Sequence, residues 1–229
     1  MVLFENGTNL KDYDARLRDR VISTVTPERS RVWGDGFKKP FISKPLYKWK
    51  KILIAIEFKG DQLQIEENKV LIQEQLDNKI IRFSDLSGIR YVMSIDGDPS
   101  IKDNIHRKYQ TVEYSLIGYA EEESLKIIKM TGKGSEKIIA SDLILESEAV
   151  LKIKGSNTAT VKIGDDVFEV SDIGSGTVVI GEGKVLKNGL NHWNKANFKK
   201  FPKIKAGSNV ITYTPTTAEI VIEYRGRLR

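Results

Sequence analysis

The sequence is short of the residues from which many catalytic and metal sites are built. It contains no cysteine and only two histidines among 229 residues. The absence of cysteine excludes disulfide frameworks, thiol nucleophiles and cysteine-ligated zinc, and it is typical of proteins made in a reducing compartment. His106 and His192 stand in neither the H-x-x-x-H nor the H-E-x-x-H spacing of zinc enzymes, and we expect both to be exposed residues of loops.

Long apolar stretches are also missing. The longest uninterrupted apolar run, Ile52 to Ile56, is far shorter than the roughly 20 residues that a membrane-spanning helix requires. The first residues, MVLFENGTNLKDYD, show no basic segment followed by an apolar one, which an export signal would need. We therefore expect no membrane insertion, and synthesis in the cytoplasm.

Signatures of common enzyme classes are absent as well. The closely spaced glycines never continue into G-x-x-x-x-G-K-[ST] or G-x-G-x-x-G, and no G-x-S-x-G motif occurs. Three carboxylate pairs could serve a glycosidase or bind calcium only if the fold brings their oxygens together: Asp12/Asp14, Asp96/Asp98 and Asp165/Asp166. We predict that the protein is not an enzyme and uses no cofactor or metal.

Hydrophobic residues make up 40% of the chain and charged residues 30%, which suffices for folded cores, and the net charge is +6. Residues 1–122 carry 20 Lys/Arg and 19 Asp/Glu, whereas residues 123–229 carry 17 and 12, so the excess positive charge lies in the second half. Lys184 to Lys205 holds seven lysines, no acidic residue, and Trp193, Phe198 and Phe201. Such a mixture can bind phosphates and bases, but no nucleic-acid module accompanies it, and a solvated loop is the preferred interpretation.

The first half predicts a domain that combines helix and sheet. Alternating apolar residues from Lys51 to Phe58 indicate a buried strand, and Asp61 with Gln64 has the spacing of a capping box that opens a helix through Asn78. Two more strands are predicted, at residues 89–95 and 109–119. Because strands and helix do not alternate regularly, we expect an α+β domain with an antiparallel sheet.

The predicted helix has apolar residues on more than one face. One face carries Ile65, Ile72 and Leu76, whereas Leu63 and Val70 point elsewhere. A helix with a single buried stripe would not show this distribution. We therefore expect the helix to pack on more than one surface.

Residues 24–50 form an unusual segment that combines three prolines with several basic and aromatic residues. A connection of this length is seldom without a role, and its aromatic side chains need a surface to pack against. Two interpretations are equally open: a clasp between subunits, or a pair of strands within the same domain.

The second half predicts only strands. Alternating apolar residues indicate short strands near 149–153, 160–163, 167–170, 177–180, 209–213 and 220–224. Turn signals separate them, among them Asn188-Gly189 and Ala206-Gly207-Ser208-Asn209. This spacing favours an antiparallel β-sandwich, so the expected class is mainly β, with domains at 1–122 and 123–229.

Several short segments occur along the chain in a characteristic order. In the first half they are Phe4-Glu5-Asn6-Gly7, Leu10-Lys11-Asp12-Tyr13, Arg31-Val32-Trp33-Gly34-Asp35-Gly36, Ile52 to Asp61, Asp61 to Asn78, Leu86 to Tyr91, and Val112 to Leu116. In the second half they are Lys187-Asn188-Gly189, Phe201-Pro202-Lys203-Ile204, Ala206 to Ile211, and Ile220 to Arg225. In their order and spacing these segments resemble the distal tail protein family of long-tailed bacteriophages of Gram-positive hosts, and the resemblance covers nearly the whole chain.

The resemblance implies a structural protein of the virion tail tip. Its N-terminal domain would form a homo-hexameric ring through which DNA passes, with Trp33, Phe37 and Phe41 buried between subunits. Its C-terminal domain would be a galectin-like β-sandwich. The implied partners are the tail tube protein, a tail-associated fibre or lysin protein, and receptor-binding proteins. The alternative is a carbohydrate-binding or receptor-binding adhesion module, in which Trp193 contacts a sugar ring.

Overall fold

The computed structural model describes residues 1–24, 27–28, 31–32, 41–42, 46–47, 49–106, 108–132, 135–140 and 146–228. For residues 27–47, 103–106 and 135–140 in this set it describes the backbone alone. The chain forms two compact units, Met1–Ala120 and Glu121–Leu228. Both consist mainly of antiparallel strands, which confirms the predicted mainly-β class.

The N-terminal unit contains one helix and eleven of the described strands. These are β1 (Val2–Phe4), β2 (Ala15–Ile22), β3 (Pro27–Glu28), β4 (Arg31–Val32), β5 (Phe41–Ile42), β6 (Leu46–Tyr47), β7 (Lys50–Lys59), α1 (Gln62–Leu76), β8 (Lys79–Phe83), β9 (Ile89–Ile95), β10 (Ser100–His106) and β11 (Tyr109–Glu122). A 3-10 helix, Leu10–Tyr13, precedes β2. The main sheet has the order β1-β8-β9-β11-β7-β2, and β10 pairs with the first residues of β11.

The centre of this unit follows directly from the sequence pattern. Four alternating apolar residues of β7, Ile52, Ile54, Ile56 and Phe58, are fully buried on the face that α1 covers. On the helix, Ile65, Ile72 and Leu76 are buried, as predicted. Each such side chain contributes about 1.5–3 kcal/mol by leaving water. This apolar layer between sheet and helix is the core of the unit.

The predicted helix start is confirmed, although only half of the capping box forms. The backbone N–H of Gln64 donates to Asp61 Oδ1 at 2.9 Å, which satisfies one of the free donors at the helix end. The Gln64 side chain does not return this bond. Its Nε2 donates instead to Asp14 Oδ2 at 2.8 Å and thereby ties the helix to the start of β2.

Four strands of the unit, β1, β2, β8 and β10, have no counterpart among the strands predicted from apolar alternation. β8 is short, and β10 lacks apolar alternation, so neither carries a clear periodic signal. β10 forms by pairing with the first residues of β11, and the register shifts twice along this pair. His106 therefore lies in a strand, and its placement in a loop was wrong.

The sheet of the N-terminal unit curls until its ends approach each other. Arg20 lies in β2 at one end of the strand order, yet its guanidinium donates from Nη1 to Asp85 Oδ1 at 2.9 Å and from Nη2 to Asp85 Oδ2 at 2.5 Å, just after β8 near the other end. The same guanidinium lies 4.4 Å from the centre of the Phe83 ring. A flat sheet would not allow these contacts, so the strands form a nearly closed, barrel-like layer.

The C-terminal unit is built from strands and one 3-10 helix, Trp193–Lys195, within its described residues. The strands are β12 (Lys126–Thr131), β13 (Ser135–Ala140), β14 (Ser147–Lys154), β15 (Ala159–Ile163), β16 (Asp166–Val170), β17 (Val178–Gly181), β18 (Lys184–Lys187), β19 (Leu190–Asn191), β20 (Ala196–Asn197), β21 (Lys203–Ile204), β22 (Gly207–Thr214), β23 (Glu219–Tyr224) and β24 (Arg227–Leu228). All six strands predicted for this half are present.

Twelve of these strands, all but β24, form two sheets that share one core. One sheet has the order β12-β23-β14-β17-β18-β19, with β21 beside β14, and the other has the order β13-β22-β15-β16-β20. Buried residues from both sheets form a single apolar cluster, which includes Leu151 and Ile222 of the first sheet and Val161 and Phe168 of the second. The unit is therefore a β-sandwich.

One predicted turn proved to be the beginning of a strand. β22 starts at Gly207, so Asn209 lies inside the strand and is buried. Its side-chain Oδ1 accepts the Lys205 N–H at 2.9 Å, and its Nδ2 donates to the Lys205 carbonyl at 2.8 Å. Asn209 thus holds the preceding turn from within the sheet. The predicted turn at Asn188-Gly189 is confirmed and joins β18 to β19.

Candidate assembly and ligand-binding surfaces

The residues predicted for a subunit interface fall mostly outside the described part of the chain. Trp33 and Phe37 lie outside the described residues. Phe41 belongs to β5, whose backbone pairs with β4, and β3 pairs with β6 in the same way. Residues 27–47 therefore contain an internal strand pair, one of the two interpretations left open by the sequence. The proposed burial of the three aromatic side chains between subunits stays a prediction.

The outward side of α1 is a second apolar surface. Leu63, Val70 and Leu71 expose 70%, 54% and 44% of their surface, far more than the buried residues of the same helix. Positions seven apart lie on one face, so Leu63 and Val70 project directly opposite Ile65 and Ile72. Exposed glutamates share this side, and we name the set Leu63, Glu67, Val70, Leu71 and Glu74 the outer face of α1.

Within the described residues of its own unit nothing covers the outer face of α1, so the expected second packing contact of the helix stays a prediction. An exposed helix face that repeats large apolar side chains marks an interaction surface more often than isolated exposed residues do. The alternation with glutamate keeps the surface soluble while it is exposed. This combination is typical of a helix that contacts a partner.

The face of the sheet opposite α1 carries several ion pairs beside exposed apolar residues such as Val21 and Leu53. Its ion pairs include Arg18 with Glu57 at 3.4 Å, Lys51 with Asp96 at 2.9 Å and Lys102 with Glu113 at 3.2 Å. Because these basic side chains are half exposed or more, each pair contributes little to stability. A wide surface of paired charges binds no strongly charged polymer tightly.

Trp193 is the centre of an aromatic cluster on the C-terminal unit. Its indole stacks on the Phe198 ring at 5.5 Å and 25°, and meets Phe201 edge-on at 5.8 Å. Phe198 in turn contacts Phe168, which is fully buried in the core. Trp193 still exposes 44% of its surface, so it is an anchored but accessible aromatic residue.

His192, the residue before Trp193, was expected to be exposed, and this expectation was wrong. Only 9% of its surface is exposed, and its ring Nε2 lies 3.0 Å from the Ser171 carbonyl oxygen. Its backbone N–H donates to the Val185 carbonyl at 2.9 Å. The histidine fixes the start of the loop that carries Trp193, and this contact between distant residues has no signal in the local sequence.

A shallow depression of about 380 Å³ lies beside this loop. Its lining is rich in hydroxyl, amide and charged side chains: Thr158, Ala159, Thr160, Glu169, Val170, Ser171, Asn194, Lys195, Ala196 and Asn197. Asn197 Nδ2 donates to Glu169 Oε2 at 2.9 Å. This leaves the other Glu169 oxygen and the Asn197 carbonyl oxygen as acceptors for a ligand. Sequence reasoning missed this pair, because Glu169 and Asn197 meet only through the pairing of β16 with β20.

Three of the six carboxylates considered for catalysis make contacts that serve the fold. Asp12 Oδ2 accepts the Asn9 N–H at 2.7 Å, Asp14 binds Gln64, and Asp96 pairs with Lys51. Across the described ranges no three His, Cys, Asp or Glu side chains are grouped so that they could hold a metal ion. No helix in those ranges is long and apolar enough to cross a membrane.

Comparison with known proteins places the fold among phage tail components. No protein-family model and no curated protein matches the chain. The crystal structure of the SPP1 Dit protein (gp 19.1), described as a paradigm of the hub adsorption apparatus in Gram-positive infecting phages, superposes with a TM-score of 0.70 and 11% identity, covering 100% of this chain and 98% of that one. The phage P2 baseplate matches in its Ca form at a TM-score of 0.51 and 10% identity, and in its Sr form at 0.52 and 11%. Each P2 match covers 94% of this chain and 92% of the other. The fold is therefore that of the SPP1 hub protein, as the sequence resemblance predicted.

Proposed function

We propose that this chain is a structural, non-catalytic hub protein of a bacteriophage tail tip. The observation that carries the proposal is the match to the SPP1 Dit protein, which extends over 100% of this chain and includes both units. Fold alone does not establish function. It is joined here by a helix face and a half-exposed aromatic cluster that suit contacts with other macromolecules.

In this proposal the N-terminal unit assembles into a closed ring of six copies. Such a ring needs two different, complementary surfaces on each subunit. The outer face of α1 supplies one of them. The aromatic residues Trp33, Phe37 and Phe41 of the segment 24–50 supply contacts to the neighbouring copy. The face of the sheet opposite α1, where Arg18, Lys51 and Lys102 are paired with carboxylates, would form the channel wall past which DNA moves.

The partners follow from this place in the virion. The ring would contact the tail tube protein on one side and a tail-associated fibre or lysin protein on the other. The C-terminal unit, proposed to be galectin-like, would present its surface to receptor-binding proteins. We propose no reaction for the chain, because Asp12, Asp14 and Asp96, considered as catalytic acids, are engaged in helix capping and ion pairs.

Native mass spectrometry and negative-stain microscopy of the purified protein test the ring. We expect hexamers with a central channel, formed either by the protein alone or on addition of its tail partners. A chain that stays monomeric and never joins tails, or that releases fragments from cell wall, would contradict the proposal.

A matched pair of variants tests the role of α1. Val70→Glu places a charge in the outer face of α1 and is expected to shift assembled protein to monomer. Val210→Glu is the control, because Val210 is similarly exposed, at 48% against 54%, but lies in the C-terminal unit. If both variants assemble like the parent protein, the outer face of α1 is not part of the interface.

A second candidate function is a carbohydrate-binding adhesion module. One observation favours it: Trp193 is held rigidly by Phe198 and still exposes 44% of its surface next to a polar depression. Accessible tryptophan beside hydroxyl-binding side chains suits a sugar ring. Trp193→Ala is expected to weaken glycan binding by about tenfold in a glycan-binding assay.

A further inference from the structure

The C-terminal unit carries a concentrated positive surface around the aromatic cluster. Of the seven lysines between residues 184 and 205, Lys187 lies 3.8 Å from Asp172 and Lys203 lies 2.8 Å from Glu146. The other five are exposed, and none of them forms an ion pair with a residue that the structure describes: Lys184, Lys195, Lys199, Lys200 and Lys205. Their charges are available to an anionic partner.

Three of these five lysines lie within seven residues of the exposed tryptophan in the chain. Lys195 follows Trp193 by two positions, and Lys199 and Lys200 lie between Phe198 and Phe201 in the chain. The two phenylalanines are fixed by ring contacts at 5.3 Å, so the loop that carries the lysines is anchored to the core. A rigid aromatic surface with cations around it loses little conformational entropy when it binds a ligand.

The polar depression continues from this loop. Lys195 and its neighbour Asn194 line the depression and follow Trp193 directly in the chain. Glu169 and Asn197, at 2.9 Å from each other, offer planar acceptors side by side, which suit the hydroxyl groups of a sugar or polyol. The tryptophan therefore adjoins the hydroxyl-binding groups through Asn194 and Lys195, and Lys199 and Lys200 follow in the same segment of the chain.

We propose that this surface, consisting of Trp193, Lys195, Lys199, Lys200, Glu169 and Asn197, binds an anionic glycan. The ligand class is a polymer that carries sugar or polyol hydroxyls together with regularly spaced negative charges. This inference deepens the second candidate function and does not depend on ring assembly, because all the residues lie on one subunit.

The carboxylate in the depression distinguishes a glycan from a nucleic acid. Glu169 repels closely spaced phosphates, whereas it accepts hydrogen bonds from sugar hydroxyls. Surfaces for single-stranded nucleic acid also present several exposed aromatic residues in succession, while here Trp193 is the exposed member of its cluster. A glycan with spaced charges fits both features better.

Binding is tested with the full-length protein and three probes. The probes are hyaluronan oligosaccharides, uncharged chitin oligosaccharides of the same length, and oligodeoxythymidylate with the same number of charges. We expect hyaluronan to bind more tightly than both others, with affinity falling roughly tenfold between 50 and 200 mM salt as about three lysine contacts are screened.

Variants assign the binding to this surface. Trp193→Ala and the double variant Lys199→Ala/Lys200→Ala are each expected to weaken hyaluronan binding by about tenfold. The lysine variant changes only exposed side chains, so it reports binding even if Trp193→Ala folds poorly. Lys79→Ala is the matched control, because Lys79 is exposed in the other unit and its loss leaves affinity unchanged.

Glu169→Ala gives the sharpest readout. It makes the surface more positive, so a purely electrostatic surface would bind every polyanion more tightly, whereas the proposal expects weaker hyaluronan binding.

Tighter binding of oligodeoxythymidylate than of hyaluronan overturns the proposal. If chitin oligosaccharides bind as tightly as hyaluronan, the proposal is also overturned, but the second candidate function stands. If neither glycan binds, both the proposal and the second candidate function are overturned. None of these outcomes bears on the hexameric ring.

Discussion

Arg20 and Asp85 are 65 residues apart in the chain, yet they close the curled sheet of the N-terminal unit through two hydrogen bonds. The hydrogen bond from Arg20 is the main cause that lowers the pKa of Asp85 from its ordinary 3.8 to about 2. Because the pKa is lower in the folded state, the pair stabilises the protein above about pH 4, and this contribution is lost as the pH falls towards 2.

Asp85→Asn removes this dependence. From about pH 5 to about pH 2 the free energy of unfolding of the parent protein is expected to fall more steeply than that of the variant. Denaturant titrations at several pH values measure the difference. Asp98→Asn, at an exposed position before β10, is the control and should follow the parent curve. Parallel curves for Asp85→Asn and its parent would show that the ion pair has no role in stability.

Tyr114 presents the opposite situation, a buried polar group without a hydrogen-bond partner among the described residues. Its side chain is fully buried in β11, and this burial raises the pKa of its hydroxyl. An unsatisfied buried hydroxyl costs free energy in the folded state. We expect Tyr114→Phe to leave stability unchanged or to raise it by up to about 1 kcal/mol in urea denaturation. A loss of stability would mean that the hydroxyl is hydrogen-bonded.

At the level of secondary structure, the start of α1 depends on a single side chain. Asp61 accepts the Gln64 N–H, and Asp61→Ala is expected to lower the free energy of unfolding by about 1 kcal/mol. Gln62→Ala, at the neighbouring exposed position, is the control and should change it little. Urea denaturation followed by circular dichroism measures both variants. Equal effects would show that general helix propensity, rather than the cap, sets the stability of this end.

The same helix shows how a sequence pattern can reveal a surface without revealing its partner. Apolar residues on two opposite faces of α1 predicted two packing surfaces, and the structure places the sheet against one of them. The exposed Leu63 and Val70 mark the other. What covers it depends on other molecules, so the helix sequence alone does not contain the answer.

For the whole molecule, assembly into a ring couples stability to protein concentration. If only folded subunits associate, the apparent melting temperature rises with concentration by mass action. We expect an increase of about 3 °C for a tenfold rise in concentration, and a smaller one for Val70→Glu. Differential scanning fluorimetry over a range of concentrations measures this. A melting temperature that does not change would argue against assembly by the protein alone.

Only part of the candidate ligand surface could be predicted from the sequence. Trp193 and the lysines around it stand out because they are close together in the chain. Glu169 does not, since it lies 28 residues from Asn197 and reaches it only through the pairing of β16 with β20. The polar half of the surface is therefore a product of strand pairing.

Local patterns determined the central strand β7, the helix with its cap, and six strands of the sandwich, because apolar periodicity and capping act between residues a few positions apart. Tertiary structure alone decided the strands β8 and β10, the Arg20–Asp85 contact, the burial of His192 and the stacking of Trp193 on Phe198. Each of these depends on segments that are distant in the chain and meet only after the sheets have formed. The contacts that stabilise these features form only when the distant segments come together, and no local stretch of sequence encodes this.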